Sequence, residues 1–295
     1  METTSSGPVV VGVDRSDGAR EAVAWAADLA SAWGAALHLV HAVPAEPDPT
    51  ESFPWLGELL DTVERAGSDR PQAEFPRGAP VEVLTARSAD ARMLVLGSYG
   101  EGARAGMLAG SVALALVGRA KCPVAVVRGR SPRVPPPRSG PVVVGVDGSA
   151  AGRAALGLGA VLAVSLGAPL VAVHTWTDVV SGPSGMTRRR EGPEILAAEG
   201  AARLDAELAA VVAAHPGLSV ERDLTQDTPL RALLDRAEGA RLLVAGNRGP
   251  DHRTGMLRGS TSRALVEFAA CPVVVTTPAT AVAAGPTVHP AGAAR

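Results

Sequence analysis

Lysine is all but missing from this chain of 295 residues: Lys121 is the only one, and Cys122 follows it. A Walker A phosphate loop, which needs a Gly-Lys-Ser/Thr triplet, is thereby excluded. Aromatic residues make up 3% of the chain against 46% hydrophobic residues, so the cores must be aliphatic, built from Val, Leu and Ala. No apolar run approaches the ~18 residues of a membrane-spanning helix, and Met1 to Gly7 have neither the basic start nor the apolar stretch of a secretory leader. A formal net charge of −2 gives no reason to expect nucleic acid or an acidic membrane as partner. A soluble, cytoplasmic protein is expected. Cysteine is scarce as well: Cys122 and Cys271 stand at matching places, each in a Cys-Pro-Val triplet before an apolar stretch. Small buried hydrophobes in a turn are the expectation there, not a disulfide or a redox pair. The six histidines are scattered and show no metal-ligand spacing, so no metal site is expected; His41 and His174 are equivalent by repeat position.

A repeat is the strongest feature present. Ser6-Gly7-Pro8-Val9-Val10-Val11-Gly12-Val13-Asp14 recurs letter for letter from Ser139 to Asp147, an offset of 133 that becomes 149 from Pro80/Pro229 onward. The second copy therefore carries 16 additional residues between its second strand and third helix. A period of that size marks duplicated domains, not a solenoid of small units, and agrees with the two domains expected from length. The expected division is 1–7 as a disordered N-terminus, 8–128 and 141–277 as domains, 129–140 as a proline-rich spacer, and 278–295 as a disordered tail.

Val9 to Val13 is a continuous β-branched run, which marks a strand covered on both faces of a parallel sheet. Ser16 or Asp17 then caps a helix whose apolar positions Ala22, Val23, Ala26, Ala27, Ala30 and Trp33 follow helical spacing until Gly34. Strand two is expected over Ala36 to Val43, and then a helix (Trp55 to Ala66), a third strand near Ala73 to Phe75 and a helix (Pro80 to Ser88). A fourth strand (Met93 to Leu96), a glycine loop, a helix and a fifth strand (Pro123 to Val127) complete the unit. The second copy repeats this, with a longer second helix (Glu194 to Ala214) and a clearer third strand (Leu218 to Leu224). Such alternation predicts an α/β fold, two tandem doubly wound parallel sheets with helices on both faces.

Each fourth strand leads into a glycine-rich segment: Gly97-Ser98-Tyr99-Gly100, nine residues, Gly110-Ser111, and Gly246-Asn247-Arg248-Gly249, nine residues, Gly259-Ser260. Strand, glycine loop and helix start together make an anion-binding arrangement, because glycine brings the backbone close to a ligand and the first helical amides are unpaired. The dinucleotide fingerprint is excluded, since the first strands lead into Asp14-Arg15-Ser16-Asp17 and Asp147-Gly148-Ser149-Ala150. Asp14 and Asp147 end those strands. If strands one and four are neighbours, a carboxylate faces phosphate-seeking amides across one crevice, which suits a nucleotide with its ribose on the aspartate. The plainer alternatives are a simple strand-to-helix connection for the loops and a helix-capping turn for the aspartates, and capping does not exclude ligand contact.

At these residues the chain resembles the universal stress protein family in its tandem form, over roughly Pro8 to Arg128 and Pro141 to Thr277. The resemblance rests on Val-Gly-Val-Asp, the Gly-x-x-Gly-x9-Gly-Ser loop and the closing Cys-Pro-Val strand, each present twice. It implies the sheet order 3-2-1-4-5 and, for members with the loop, ATP binding without established catalysis, ATP being taken with or without Mg2+. The family's ligand residues map onto Gly12, Val13 and Asp14 for adenosine, the backbone around Val43 for adenine, and Gly97, Ser98, Gly100, Gly110, Ser111 and Val112 for phosphates. In the second copy they map onto Gly145, Val146, Asp147, Gly246, Asn247, Gly249, Gly259, Ser260 and Thr261. Arg104 and Arg253 are candidate phosphate contacts that would offset Glu101 and Asp251 in the same loops. The first loop departs from the family's usual Ser-Arg in having Ser98-Tyr99, and Arg15 replaces the usual glycine. The implied function is a nucleotide-dependent regulator of stress or dormancy responses. An ATPase or adenylyl-transfer enzyme and a ligand-free dimerisation module are the alternatives. The two domains are expected to pair within the chain, with a homodimer of chains left open.

Overall fold

Strands that are apolar at every position need cover on both faces, and the two copies obtain it together. The computed structural model describes residues 7–44, 46, 53–66, 71–100, 109–131, 134–177, 179–182, 185–188, 192–247 and 260–281. The first copy runs β1 (Val9–Gly12), α1 (Asp17–Trp33), β2 (Leu37–Val40), α2 (Pro54–Arg65), β3 (Gln72–Glu74), α3 (Pro80–Arg87), β4 (Met93–Gly97), α4 (Ser111–Val117) and β5 (Val124–Val127). The second runs β6 (Val142–Gly145), α5 (Ala150–Ser165), β7 (Leu170–Trp176), β8 (Val179–Gly182), β9 (Gly185–Arg188), α6 (Pro193–Ala214), β10 (Val220–Gln226), α7 (Pro229–Ala237), β11 (Leu242–Gly246), α8 (Ser260–Phe268), β12 (Val273–Thr276) and α9 (Pro278–Ala281).

The main sheet has ten strands in the order β10-β7-β6-β11-β12-β5-β4-β1-β2-β3, so each half has the order 3-2-1-4-5 and the halves meet at their fifth strands. Pairing is parallel within each half. Across the seam β12 and β5 run antiparallel, with Val273 opposite Val126, Val274 opposite Ala125 and Val275 opposite Val124. An edge strand left open would expose a row of unpaired backbone groups, and the seam removes two such edges at once. Two aliphatic cores follow, one on each face of the sheet and each drawing on both halves: α1, α2, α5 and α6 cover one, α3, α4, α7 and α8 the other.

Local chemistry explains the element ends. The Ser16 hydroxyl accepts from the Ala19 N–H at 3.1 Å and Gly34 closes α1 in the left-handed region at φ 58°. Ser149 repeats the cap on α5, accepting from Gly152 N–H at 3.0 Å. Two outcomes were not expected from sequence. The additional residues of the second half include an antiparallel hairpin, β8 with β9, bracketed by Gly182 and Gly185. The tail, read as disordered from Pro278, begins instead with the helical turn α9. Proline suits a first helical position, and Thr277 and Thr280 exchange bonds: Thr280 N–H to Thr277 Oγ1 at 3.2 Å, Thr277 N–H to Thr280 Oγ1 at 2.8 Å. Residues 1–6 and 282–295 lie outside the described residues. Among the described residues no helix is long and apolar enough to cross a membrane.

Side chains tie the halves beyond the seam. Trp33 donates from Nε1 to Ser165 Oγ at 3.0 Å, and the Arg92 guanidinium lies 4.0 Å from the centre of the Trp33 ring. Arg128, following β5, donates to the carbonyls of Val266, at 2.9 Å, and Glu267 in the last turn of α8. A cation there meets both the unpaired carbonyls and the negative end of the helix. Arg128→Met should therefore lower the unfolding free energy by about 1–3 kcal/mol, the range for charge-assisted bonds made by a buried group. Urea denaturation reads this directly, and an unchanged midpoint would show that the contact contributes nothing.

Candidate functional site

β1 and β4 are neighbours in the sheet, with Gly12 opposite Leu96, so their carboxyl ends open side by side. There lies a cavity of about 380 Å³, at the position where open α/β sheets take ligands. Its wall brings together Gly12, Val13 and Asp14 from the end of β1 with Gly97, Gly100, Gly110, Ser111 and Val112 from the glycine segment. Ser16, Val40, His41, Ala42 and Tyr99 belong to the same wall.

The other candidates are placed differently. Ser98 is buried; its N–H donates to Val127 O of β5 at 2.9 Å and its carbonyl accepts from Gly110 N–H at 2.7 Å, so it ties the loop to the sheet and to itself. Val43 is paired with the turn before α3, its N–H donating to Pro76 O at 3.0 Å and its carbonyl accepting from Gly78 N–H at 2.9 Å. The strand-two backbone on the cavity wall is instead Val40 to Ala42. Arg104 lies outside the described residues, as do Gly249, Arg253 and Gly259. In the second half Gly145, Val146 and Asp147 end β6 and continue from it, Gly246 ends β11, and Ser260 and Thr261 open α8. Asn247 donates from its backbone to Thr276 O at 2.7 Å and from its side chain to Val117 O at 3.4 Å, a contact across the two halves.

The glycines fall into distinct physical roles. A Cβ on Gly97 would lie 2.4 Å from the carbonyl carbon of Gly18, and one on Gly246 2.4 Å from the Ala151 carbonyl oxygen. Both are glycine because the departing strand passes directly beneath the first turn of α1 or α5. Gly100 differs, since its Cβ would come 2.6 Å from Asp14 Oδ2, inside the cavity wall. At Gly110 the nearest atom to a Cβ is Ser98 O at 3.5 Å, an ordinary contact.

Asp14 is held by the turn that follows it. Its Oδ1 accepts the Ser16 N–H at 3.0 Å and the Ser16 hydroxyl. Asp147 repeats the arrangement with Ser149 at 2.9 and 2.6 Å. His41, on the wall, has Nδ1 2.8 Å from Val13 O and its ring edge-on to Phe53 and Trp55, with centroids 5.0 and 5.1 Å away. Because a carbonyl only accepts, Nδ1 carries the proton. His174 does the same to Val146 O at 2.7 Å. Sequence reasoning passed over His41, Ser16 and Tyr99 as wall residues; the signal available for His41 was its repeat equivalence to His174, which was weighed only as metal chemistry. Among the described residues no group of three or more potential metal ligands forms. Burial pushes the thiols of Cys122 and Cys271 up to about 12, which keeps them protonated and inert.

Fold and cavity together define a tandem doubly wound α/β protein with its crevice at the carboxyl ends of the central strands. The family model described as "Universal stress protein family" matches residues 6–128 and 139–277, and the chain belongs to that family. It is similar to Universal stress protein Rv2623 of Mycobacterium tuberculosis (34% identical over 294 residues, 92% of this chain and 96% of the relative). It is also similar to Universal stress protein Rv2005c of the same species (35% over 289 residues, 90% and 96%). Among solved structures, a universal stress protein from Archaeoglobus fulgidus matches with a TM-score of 0.65 at 19% identity, covering 94% of this chain and 100% of that one. The cytoplasmic domain of a prokaryotic cation chloride cotransporter matches with a TM-score of 0.56 at 14% identity, covering 94% and 98%. At those identities the solved structures bear on the fold alone.

Gly97→Ala and Gly246→Ala should each cost about 1–3 kcal/mol, the usual range for overpacking, whereas Gly110→Ala should leave stability within ~0.5 kcal/mol of wild type. Thermal unfolding of the three variants separates packing glycines from the one with room for a methyl group. Wild-type stability in Gly97→Ala would refute the close approach.

Proposed function

We propose that the crevice of the first half binds an adenine nucleotide, ATP in the first instance, and that its occupancy regulates a stress or dormancy response without catalysis by this chain. One observation carries the reading: Asp14 and, from the glycine segment, Gly97, Tyr99 and Gly100 line a single cavity that also reaches the start of α4. A carboxylate accepts hydrogen bonds from sugar hydroxyls, and main-chain amides donate them to phosphate oxygens. The Ser98 N–H is spent on Val127 O at the end of β5 and the Gly110 N–H on Ser98 O within the loop. Phosphates would therefore be met by the main chain at Tyr99 and Gly100 and by the first-turn amides of Ser111 and Val112, which have no partner within a helix. Mg2+, where it accompanies ATP, would be held by the phosphates themselves, since no protein cluster of acidic residues and histidines forms among the described residues.

A binding role is favoured over an enzymatic one because neither glycine segment contains a lysine, Lys121 standing outside both. His41, the histidine among the described wall residues, has its Nδ1 on Val13 O and its ring against Phe53 and Trp55. The reading carries a cytoplasmic location with it, in keeping with two unpaired buried thiols. The seam consumes the β5 and β12 edges, so a dimer of chains would have to use another surface.

ATP in large excess should raise the unfolding midpoint, by the equivalent of about 2.7 kcal/mol at a hundred times its dissociation constant. Gly110→Asp, which sets a negative charge beside the phosphate positions, should abolish most of that rise while folding normally. No shift at millimolar ATP, together with no nucleotide in the purified protein by mass spectrometry, would falsify the assignment and leave the ligand-free module standing.

A further inference from the structure

Ser16 joins the two sides of the crevice. Its backbone N–H and its hydroxyl both reach Asp14 Oδ1, its Oγ lies 3.0 Å from the Tyr99 carbonyl oxygen, and the same Oγ accepts the Ala19 N–H at 3.1 Å. A serine hydroxyl owns a single proton, so the Asp14 carboxylate and the Tyr99 carbonyl compete for it. The carboxylate, being charged, is the stronger acceptor of the two. Tyr99 is itself poised. It sits on the cavity wall between Gly97, wedged against Gly18, and Gly100, whose Cβ would meet Asp14. Its carbonyl lies so close over α1 that a Cβ on Gly18 would come within 2.4 Å.

We propose that Ser16 is a positioning residue that couples Asp14 to the glycine segment through one exchangeable hydrogen bond, a coupling that rests on the nucleotide reading. Ligand hydroxyls that donate to Asp14 at Oδ2 draw charge from the carboxylate and weaken its hold on the Ser16 hydroxyl at Oδ1. The hydroxyl then turns about its Cβ–Oγ bond and donates to the Tyr99 carbonyl, with no covalent bond made or broken. Ribose recognition on one side of the crevice thereby fastens the main chain that faces the phosphates on the other. Ser149 makes the same bonds to Asp147 and Gly152 in the second half, so the turn itself is built twice.

Two nucleotides and two variants test this. ATP and 2′,3′-dideoxy-ATP share base and phosphates and differ in the hydroxyls that would load Asp14. On the wild type, ATP should bind about tenfold more tightly, the effect of one good hydrogen bond, and should slow amide exchange across residues 97–100 more than the dideoxy compound does. Ser16→Gly keeps an acceptable helix start and leaves the Asp14 acceptor in place, so ATP should keep its preference while its extra protection of residues 97–100 disappears, with Ser16→Thr restoring that protection. A role confined to helix capping would move stability and leave the extra protection intact. Equal protection of 97–100 by both nucleotides on the wild type, or extra protection undiminished in Ser16→Gly, overturns the coupling alone. Failure of the wild type to bind either nucleotide overturns the nucleotide reading and the coupling with it.

Discussion

Backbone lies on backbone where β4 leaves the sheet beneath α1, and the crevice depends on that contact. With Gly97 against Gly18 there is no side chain to hold the strand and helix apart, so van der Waals contact alone sets their separation. The chain leaving β4 is then delivered at the height of the end of β1, with Tyr99 over Ser16 and Gly100 over Asp14. Gly246 against Ala151 imposes the same approach in the second half. Helix-to-strand packing thus comes first in the construction of the site, and whatever chemistry the loop performs is laid over it.

A second constraint is the seam. Strands β5 and β12 give each half the neighbour that its apolar edge requires, and both cores continue across the join. Arg128 on the carbonyls of α8 and Asn247 on the carbonyl of Val117 make the two glycine-bearing regions share elements. Equivalence ends at the second helix. α2 has 12 residues and α6 has 22, so His41 is flanked by Phe53 and Trp55 where His174 is covered by α6 at Gly200. The same histidine, making the same bond, is therefore walled by aromatic rings in one half and by helix backbone in the other.

Much of this was legible in the residues. Continuous β-branched runs such as Val9-Val10-Val11 marked covered parallel strands, and the Ser16 and Gly34 caps bounded α1 closely. The glycine spacing located the crevice because a loop leaving β4 must pass the end of β1 once the two strands pair. Other features became visible only in three dimensions. Gly97 and Gly246 were read for ligand approach, and a sequence cannot show that a Cβ there would also crowd Gly18 or Ala151. Val43 is one step beyond the wall because β2 ends at Val40 and the chain then turns to pair with Pro76 and Gly78. The α9 turn was hidden by composition: alanine, threonine and proline read as disorder, and the reciprocal threonine bonds that hold it appear only in three dimensions.

Fold likeness reaches further than chemistry does, since the same architecture serves the cytoplasmic domain of a cation chloride cotransporter. On the nucleotide reading proposed above, Asp14 is used twice. The carboxylate caps a turn through Oδ1, which would satisfy a purely structural account, while Oδ2 lies toward Gly100 across the crevice wall. Capping and recognition are therefore not rival explanations of the residue. The turn holds the carboxylate in a fixed orientation, and a fixed carboxylate spends less ordering entropy on meeting a ligand hydroxyl than a mobile one would. Glycine at position 100 follows from the same geometry, since any side chain there would fill the space beside Oδ2.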